Sequence, residues 1–295
     1  MKTVGEARLW LKEKIKNLFS AEELPEIMFL TLNFITGLSK TQQLVFPEKE
    51  LSGQQIQMLL LSAQKLETGM PIQYVLAEAD FFGLKFEVNP AVLIPRPETE
   101  ELVSWVLEEK AKVEAETLKA ESLTLTAILD IGTGSGCISI SIKKNWPEAT
   151  VSGLDISAEA LQIAQKNALL NGVEVNFSQQ DILNFMPIKE ASAYSIIVSN
   201  PPYITQKEQQ QMQSNVLDFE PSQALFVPEN DPLLFYRAIA NFAAVNLGHN
   251  GLLFFEINEK FGLQIVGLLK QKDFVEVELR QDFRGKDRMI KASKS

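Results

Sequence analysis

"LDIGTGSGC", residues 129–137, is an apolar run closed by an acid and followed by three glycines at alternate positions. The stretch reads as the end of a buried strand, a tight turn and the start of a helix. Gly132, Gly134 and Gly136 allow such a turn and let a ligand come close to the backbone. The spacing is G-x-G-x-G, which differs from the dinucleotide pattern G-x-G-x-x-G, and no G-K-[ST] follows to make a phosphate loop.

From about Leu125 onwards the same texture repeats. "TAILDI" precedes the glycines, and "ATVSGLDI" precedes the helical "SAEALQIAQKNALLNG". "VEVNF" and "YSIIVSN" follow, then "DPLLFYRAIANFAAVNL" leads into "GLLFFEI", and "KFGLQIVGLLKQ" into "FVEVEL" and "DRMIKA". Alternating strands and helices predict an α/β fold, with a mostly parallel sheet covered on both faces. Such sheets bind ligands beyond the carboxyl ends of their strands.

Upstream the pattern is helical. "EARLWLKEKIKNLF" spaces Leu9, Leu11, Ile15 and Leu18 near one helical period. Ser20 with Glu23 forms a capping-box pattern ahead of "EIMFLTLNFI", and Gly37 is placed to stop that helix. Ser52 and Gly69 frame a further helix in the same way. The expected organisation is a helical bundle over 1–72, a β-hairpin linker over 73–93 containing "FFGLKFEVN", and an α/β domain over 94–295. "PETEELVSWVLEEKAKVEAETLKAE" opens a long helix with acids in its first turn, and its later part reads as a solvated face or linker.

Of the 295 residues, 45% are hydrophobic and 22% charged, an ordinary globular balance with ample material for a core. The net charge of -10 disfavours a protein that grips nucleic acid across many phosphates. One cysteine and one histidine exclude a disulfide framework and a His- or Cys-rich metal centre. No metal is therefore expected. The opening "MKTVGEARLWLKEKIK" carries acids and is not a signal peptide, and no apolar run approaches membrane length. The expectation is a cytoplasmic chain that needs no membrane and no second copy.

Three acids close three successive strands. Asp130 sits directly before the glycine turn, where it suits an ammonium better than a pyrophosphate. Asp155, in "GLDIS", lies where an acid accepts both hydroxyls of an unphosphorylated ribose. Asp181, in "SQQDIL", is placed to reach an adenine amino group. Any one of them alone is equally a helix N-cap. Together they describe a cationic, ribose-bearing and adenine-bearing ligand, which fits S-adenosyl-L-methionine better than a dinucleotide.

"SNPPYITQ", residues 199–206, ends the fourth strand. Pro201 and Pro202 donate no backbone hydrogen bond and hold the local backbone stiff. An amide or exocyclic amino nitrogen is a weak nucleophile because its lone pair is delocalised. The Asn200 side-chain oxygen and the Pro201 carbonyl can accept its two N–H groups, which orients the lone pair and stabilises the positive charge developing on nitrogen. Tyr203 can pack on the planar acceptor and favour a nearby sulfonium. In-line methyl transfer then depends on positioning more than on a strong base. Cys137, the lone His249 and the three tryptophans read as packing or turn residues. The tract "QKEQQQMQ" reads as a solvated helix or a lid over the substrate.

These motifs resemble class I S-adenosylmethionine-dependent methyltransferases with a Rossmann-like sheet. More narrowly they resemble the HemK/PrmC family, the protein-(glutamine-N5) methyltransferases of peptide-chain release factors. The resemblance rests on "PIQYVLAEADFFGLKFEVNPAVLIPRPETEELV", "LDIGTGSGCI", "GLDIS", "SNPPYI", "FEPSQALF" and "FRGKDRMI". "IPRPETE" (residues 94–100) separates it from the sister family acting on a ribosomal-protein glutamine.

The resemblance implies that methyl passes from S-adenosyl-L-methionine, leaving S-adenosyl-L-homocysteine, to the glutamine of a Gly-Gly-Gln tip in a release factor. It implies catalytic and substrate-binding roles for Asn200, Pro201, Pro202 and Tyr203. It implies cofactor contacts for Asp130, Gly132, Thr133, Gly134, Gly136, Asp155, Asp181 and Asn200. Arg96, Pro97 and Glu98 would help to close the site around cofactor and substrate, and the helical domain would help to dock the factor. Phe219, where Tyr or His is frequent, and "FVPEND" depart slightly from the family pattern. Two other classes stay open at this point: methylation of an amino group on DNA or RNA, and a module that binds S-adenosylmethionine without turnover.

Overall fold

The computed structural model describes residues 1–113, 126–185, 194–210, 212 and 214–295. The later part of the acidic stretch after Pro97 therefore lies outside the described residues. The chain divides into two compact units, Met1–Glu78 with Gln213–Phe219, and Ala79–Met212 with Glu220–Ser295.

The first unit is helical: α1 (Val4–Ile15), α2 (Leu24–Thr36), α3 (Lys40–Val45), α4 (Gly53–Glu67) and α5 (Ile72–Leu76). Ser39 and Ser52 each close a capping box, with Gln42 and Gln55. Gly37 ends α2 in the left-handed conformation, with φ of 69°. Ser20 and Glu23 do exchange reciprocal hydrogen bonds, yet they close an isolated turn; α2 begins after it, with a proline in its first turn. In α1 the buried stripe is Val4, Ala7, Leu11 and Ile15, whereas Leu9 is exposed and Leu18 falls beyond the helix. Of the four residues the spacing named, Leu11 and Ile15 lie on the buried face, which Val4 and Ala7 complete.

The second unit opens with a hairpin of β1 (Glu78–Phe81) and β2 (Leu84–Glu87), followed by α6 (Pro97–Glu108). The Phe82–Gly83 turn has both φ angles positive, at 51° and 73°, as a two-residue hairpin turn requires. The sheet then builds from β3 (Ala127–Ile131), α7 (Cys137–Asn145), β4 (Thr150–Asp155), α8 (Ala158–Asn171), β5 (Asn176–Gln179) and β6 (Tyr194–Ser199). It is completed by α9 (Leu234–Asn246), β7 (Leu247–Glu256), α10 (Gly262–Lys270), β8 (Phe274–Gln281) and β9 (Asp287–Lys294). The strand order is β5-β4-β3-β6-β7-β9-β8. The β5-β4-β3-β6-β7 pairs are parallel, and only β9 runs against the rest. This is the Rossmann-like α/β sheet expected, with one reversed strand inserted near an edge.

The order reverses between β3 and β6, so the crevice beyond their carboxyl ends is the natural ligand position. One face of the sheet is closed by Tyr236, Ile239, Ala243 and Ile265 from α9 and α10 against Leu129, Ile197 and Phe255. On α6, Trp105 is buried edge-on to Phe254, and the guanidinium of Arg280 lies 4.0 Å from its ring centre. His249 lies in an irregular start to β7, where the register to β6 shifts and Asn250 has φ of 59°.

Candidate active site

Four strand ends converge on the crevice. β3 delivers Asp130 and the glycine turn, β4 delivers Asp155, β6 delivers Asn200, and β7 delivers Glu256. The turn is laced to β4: the backbone N–H groups of Gly132 and Thr133 both donate to the Leu154 carbonyl, at 2.8 and 2.9 Å. Gly134 N–H donates to Asp155 Oδ2 at 2.8 Å, and Ser157 N–H donates to Asp155 Oδ1 at 2.9 Å. Loss of solvent raises the Asp155 pKa against these two bonds.

The glycines do different jobs. A Cβ on Gly136 would meet Ile140 Cδ1 at 2.8 Å and Ala164 Cβ at 3.2 Å, so this position is needed for helix packing. A Cβ on Gly132 or Gly134 would meet nothing within 4 Å, so the turn opens onto free space there. That space is where a ligand can lie along the backbone.

Asp130 is fully buried. Its Oδ2 accepts from Thr133 Oγ1 at 2.6 Å and from Ser139 N–H at 3.2 Å, while its Oδ1 has no partner among the described residues. Burial pushes its pKa up to about 7, since those two bonds do not offset the lost hydration. An orphaned carboxylate oxygen beside an open glycine turn fits a ligand that brings a cationic donor. The Thr133 hydroxyl is committed to Asp130 and lies 2.9 Å from Ser139 Oγ, which makes it a brace for the acid. Asp181 caps the short turn Ile182–Asn184, accepting from Leu183 N–H and Asn184 Nδ2, which is the capping alternative its sequence position allowed. Ile156, directly after Asp155, leaves 52% of its surface exposed and was not singled out in the sequence.

The N-P-P-Y segment is clamped from several sides. Ser199 Oγ donates to the Ile131 carbonyl at 2.6 Å, tying the end of β6 to β3. Asn200 Nδ2 donates to Thr99 Oγ1 at 3.2 Å, and Thr99 Oγ1 donates to Glu256 Oε2 at 2.6 Å. Tyr203 OH donates to Glu256 Oε1 at 3.1 Å. Burial raises the pKa of Glu256, and burial followed by the Glu256 charge raises that of the Tyr203 phenol. The Tyr203 carbonyl accepts from Asn258 Nδ2, which also donates to Glu208. Burial pushes Glu208 up, but Lys260, the Thr205 N–H and Asn258 outweigh it and bring its pKa down to about 2.

Arg96 pairs with Glu220 of "FEPSQALF" at 2.5 Å, and Glu220 is buried. Glu98 lies 3.7 Å from Arg284 of "FRGKDRMI". Pro97 opens α6, and Thr99, two residues on, is buried. Three motifs distant in sequence are thus joined around the crevice. Thr99, Glu220 and Glu256 escaped the sequence reading, although all three lie in quoted stretches. Half-buried Cys137 has its thiol pushed up to about 12, first by loss of solvent and then by Asp130, which removes it as a nucleophile at neutral pH. Among the described residues, no group of three His, Cys, Asp or Glu is placed to hold a metal, and no helix is long and apolar enough to cross a membrane.

Comparison with known proteins bears on the family of the chain. The family model described as "Methyltransferase small domain" matches residues 107–221. A solved human protein described as "methyltransferase 10 domain containing protein" shares the fold at a TM-score of 0.50 and 16% identity, covering 72% of this chain and 90% of that one. The release factor glutamine methyltransferase of Bacteroides thetaiotaomicron is 38% identical over 97% of this chain and 98% of its own length. That of Flavobacterium psychrophilum is 43% identical over 95% of both chains. A likeness of that extent, carried through both the helical and the α/β parts, is a family relationship, and the chain belongs to the release factor glutamine methyltransferases.

Proposed function

We propose that this chain transfers a methyl group from S-adenosyl-L-methionine to the side-chain amide nitrogen of the glutamine in the Gly-Gly-Gln tip of a peptide-chain release factor. The observation that carries this reading is the clamped N-P-P-Y segment at the switch point, one strand away from an orphaned acid and an open glycine turn. Asp130 would take the ammonium of the donor, and Gly132, Gly134 and Gly136 would shape the backbone it lies along. Asp155 would take the ribose hydroxyls, with Ile156 offering an apolar surface to the base and Asp181 its edge. When bound, S-adenosylmethionine supplies an electrophilic methyl on a sulfonium.

The remaining work belongs to the chain. Asn200 Oδ1 and the Pro201 carbonyl accept the two N–H groups of the target amide and turn its lone pair towards the incoming methyl. Pro201 and Pro202 remove the backbone freedom that would blur this direction. Tyr203, held by Glu256 and Asn258, keeps its ring against the amide plane. The methylated nitrogen is acidic, and the carbonyl oxygens already bonded to its hydrogens draw off positive charge before a proton leaves to solvent. Arg96, Pro97 and Glu98 would close the rim through Glu220 and Arg284. The helical unit would serve as a docking domain for the factor, and the enzyme would act in the cytoplasm as a monomer without gripping nucleic acid directly.

The test is incubation with methyl-labelled S-adenosylmethionine and, separately, a release factor, a ribosomal protein and DNA. Label is expected on the glutamine of the release factor, and label on nucleic acid alone overturns the reading. Asn200→Ala is expected to abolish transfer while S-adenosylhomocysteine still binds; normal turnover with weakened binding refutes the role given to Asn200.

A further inference from the structure

An asparagine side chain has a donor end and an acceptor end of nearly equal size, and only the acceptor end can receive a substrate N–H. We infer that Glu256, acting through Thr99, decides which end of Asn200 faces the substrate, and that the same carboxylate fixes the ring of Tyr203. This rests on the reading of Asn200 as an acceptor for the target amide.

The logic is a hydrogen count. Glu256 closes β7 and is 1% exposed, and as a carboxylate it can only accept. Thr99, 2% exposed, holds one hydroxyl hydrogen and gives it to Glu256 at 2.6 Å. Its oxygen can then only accept, and the neighbour at 3.2 Å is Asn200 Nδ2. Turning the amide over would set Asn200 Oδ1 against the Thr99 lone pairs with no hydrogen between them. The donor end is thereby held inward, and Oδ1 is left for the substrate. The second oxygen of Glu256 accepts from Tyr203 OH at 3.1 Å, so one anion orients both polar side chains of the N-P-P-Y motif. Burial, joined by the charge of Glu98, raises its pKa, and the hydrogen bonds from Thr99 and Tyr203 with the charge of Arg288 pull the other way, towards the ionised form. Thr99 and Glu256 are positioning residues, since neither touches the target nitrogen in this scheme.

The decisive pair of variants is Thr99→Val and Thr99→Ser, measured on the full chain with a release factor as methyl acceptor. Valine keeps the shape and loses the hydroxyl, whereas serine keeps the hydroxyl and loses a methyl group. Thr99→Val is expected to lower kcat by at least about tenfold, the effect of stripping a buried polar group of its partner. KM for the factor and the Kd for S-adenosylhomocysteine should stay near wild type, and Thr99→Ser should recover most of the lost turnover. A purely structural role gives the opposite order, with valine tolerated and serine impaired, and that order overturns the inference. Should Thr99→Val fail to fold, Glu256→Gln decides: its amide presents a donor to one of the two hydroxyls, so kcat must fall, and wild-type turnover there overturns the inference. Asn200→Ala separates the two layers. Full turnover of that variant overturns the reading beneath, while an inactive Asn200→Ala beside an unimpaired Thr99→Val overturns this inference alone.

Discussion

Replacing Asp130 by asparagine should make the ligand-free protein more stable at pH 8 and a worse binder of S-adenosylmethionine. In the folded chain the Asp130 carboxyl has a pKa of about 7, against 3.8 for an ordinary aspartate, because it is fully buried with one oxygen unpartnered. The folded value is raised, so the proton is bound more tightly in the folded than in the unfolded state. Its contribution to stability is therefore complete below pH 3.8, declines as pH rises between 3.8 and about 7, and is fully lost above that. A shift of this size corresponds to at most about 4 kcal/mol, taking roughly 1.36 kcal/mol for each pH unit. Asparagine carries no charge to desolvate, and its oxygen can still accept from Thr133 Oγ1 and Ser139 N–H.

The assay is thermal unfolding of wild type and Asp130→Asn at pH 5 and pH 8, with and without S-adenosylhomocysteine, beside calorimetric binding at both pH values. The wild type should lose Tm between pH 5 and 8 relative to the variant, by about 2–4 °C for each kcal/mol in a unit of this size. Binding to the wild type should weaken below pH 7, by up to about tenfold per pH unit, because the acid must give up its proton to receive an ammonium. Binding to the variant should be independent of pH over that range and weaker by roughly 1.5–3 kcal/mol at pH 8, the worth of a charged hydrogen bond. Parallel Tm curves together with an unchanged Kd would refute the reasoning, since they would show that Asp130 neither carries a buried charge nor meets the ligand.

Asp155→Ala should weaken S-adenosylhomocysteine binding by roughly 1–3 kcal/mol, the cost of leaving hydroxyls unpaired, and a calorimetric Kd equal to wild type removes its assignment to the ribose. The backbone N–H groups of Gly134 and Ser157 lose their acceptor in the same variant, so a modest fall in Tm should accompany it. Arg96→Met should lower stability by about 1–3 kcal/mol, because buried Glu220 loses its counter-charge and keeps only the long hydrogen bond from the Ile94 N–H, while half-open Arg96 is partly screened by solvent. Denaturant unfolding of Arg96→Met with Glu220→Leu should regain much of that loss; if the double variant is no better than the single, the ion pair is not what holds the rim.

What the sequence made legible was local. The glycine turn, the strand-helix alternation, the cap at Ser52 and the stop at Gly37 each depend on residues within a few positions of one another, where spacing alone carries the physics. The partners of the motif residues are another matter. Thr99 and Glu256 are 157 positions apart, and Arg96 and Glu220 are 124 apart, so only the strand order brings them together. The reversal of β9 was likewise invisible, because nothing in "DRMIKA" encodes the direction in which the strand runs.

One signal was nevertheless present. Glu256 closes "GLLFFE" just as Asp130 closes "AILD", an acid at the end of a wholly apolar run, and such a strand buries its last residue. A carboxylate left there without donors would cost several kcal/mol, so its presence asks which donors surround it. For Asp130 the donors are incomplete among the described residues, and one oxygen is left over for the donor proposed above. For Glu256 both oxygens accept, from the hydroxyls of Thr99 and Tyr203, and the acid is a strut. Two acids alike in sequence are thus told apart by hydrogen-bond count, a property of the fold. Reading strand-end acids as a set of four rather than three would have pointed to β7 as the fourth wall of the crevice. Whether that fourth acid meets the ligand or braces the motif is decided only once α6 has carried Thr99 between it and Asn200.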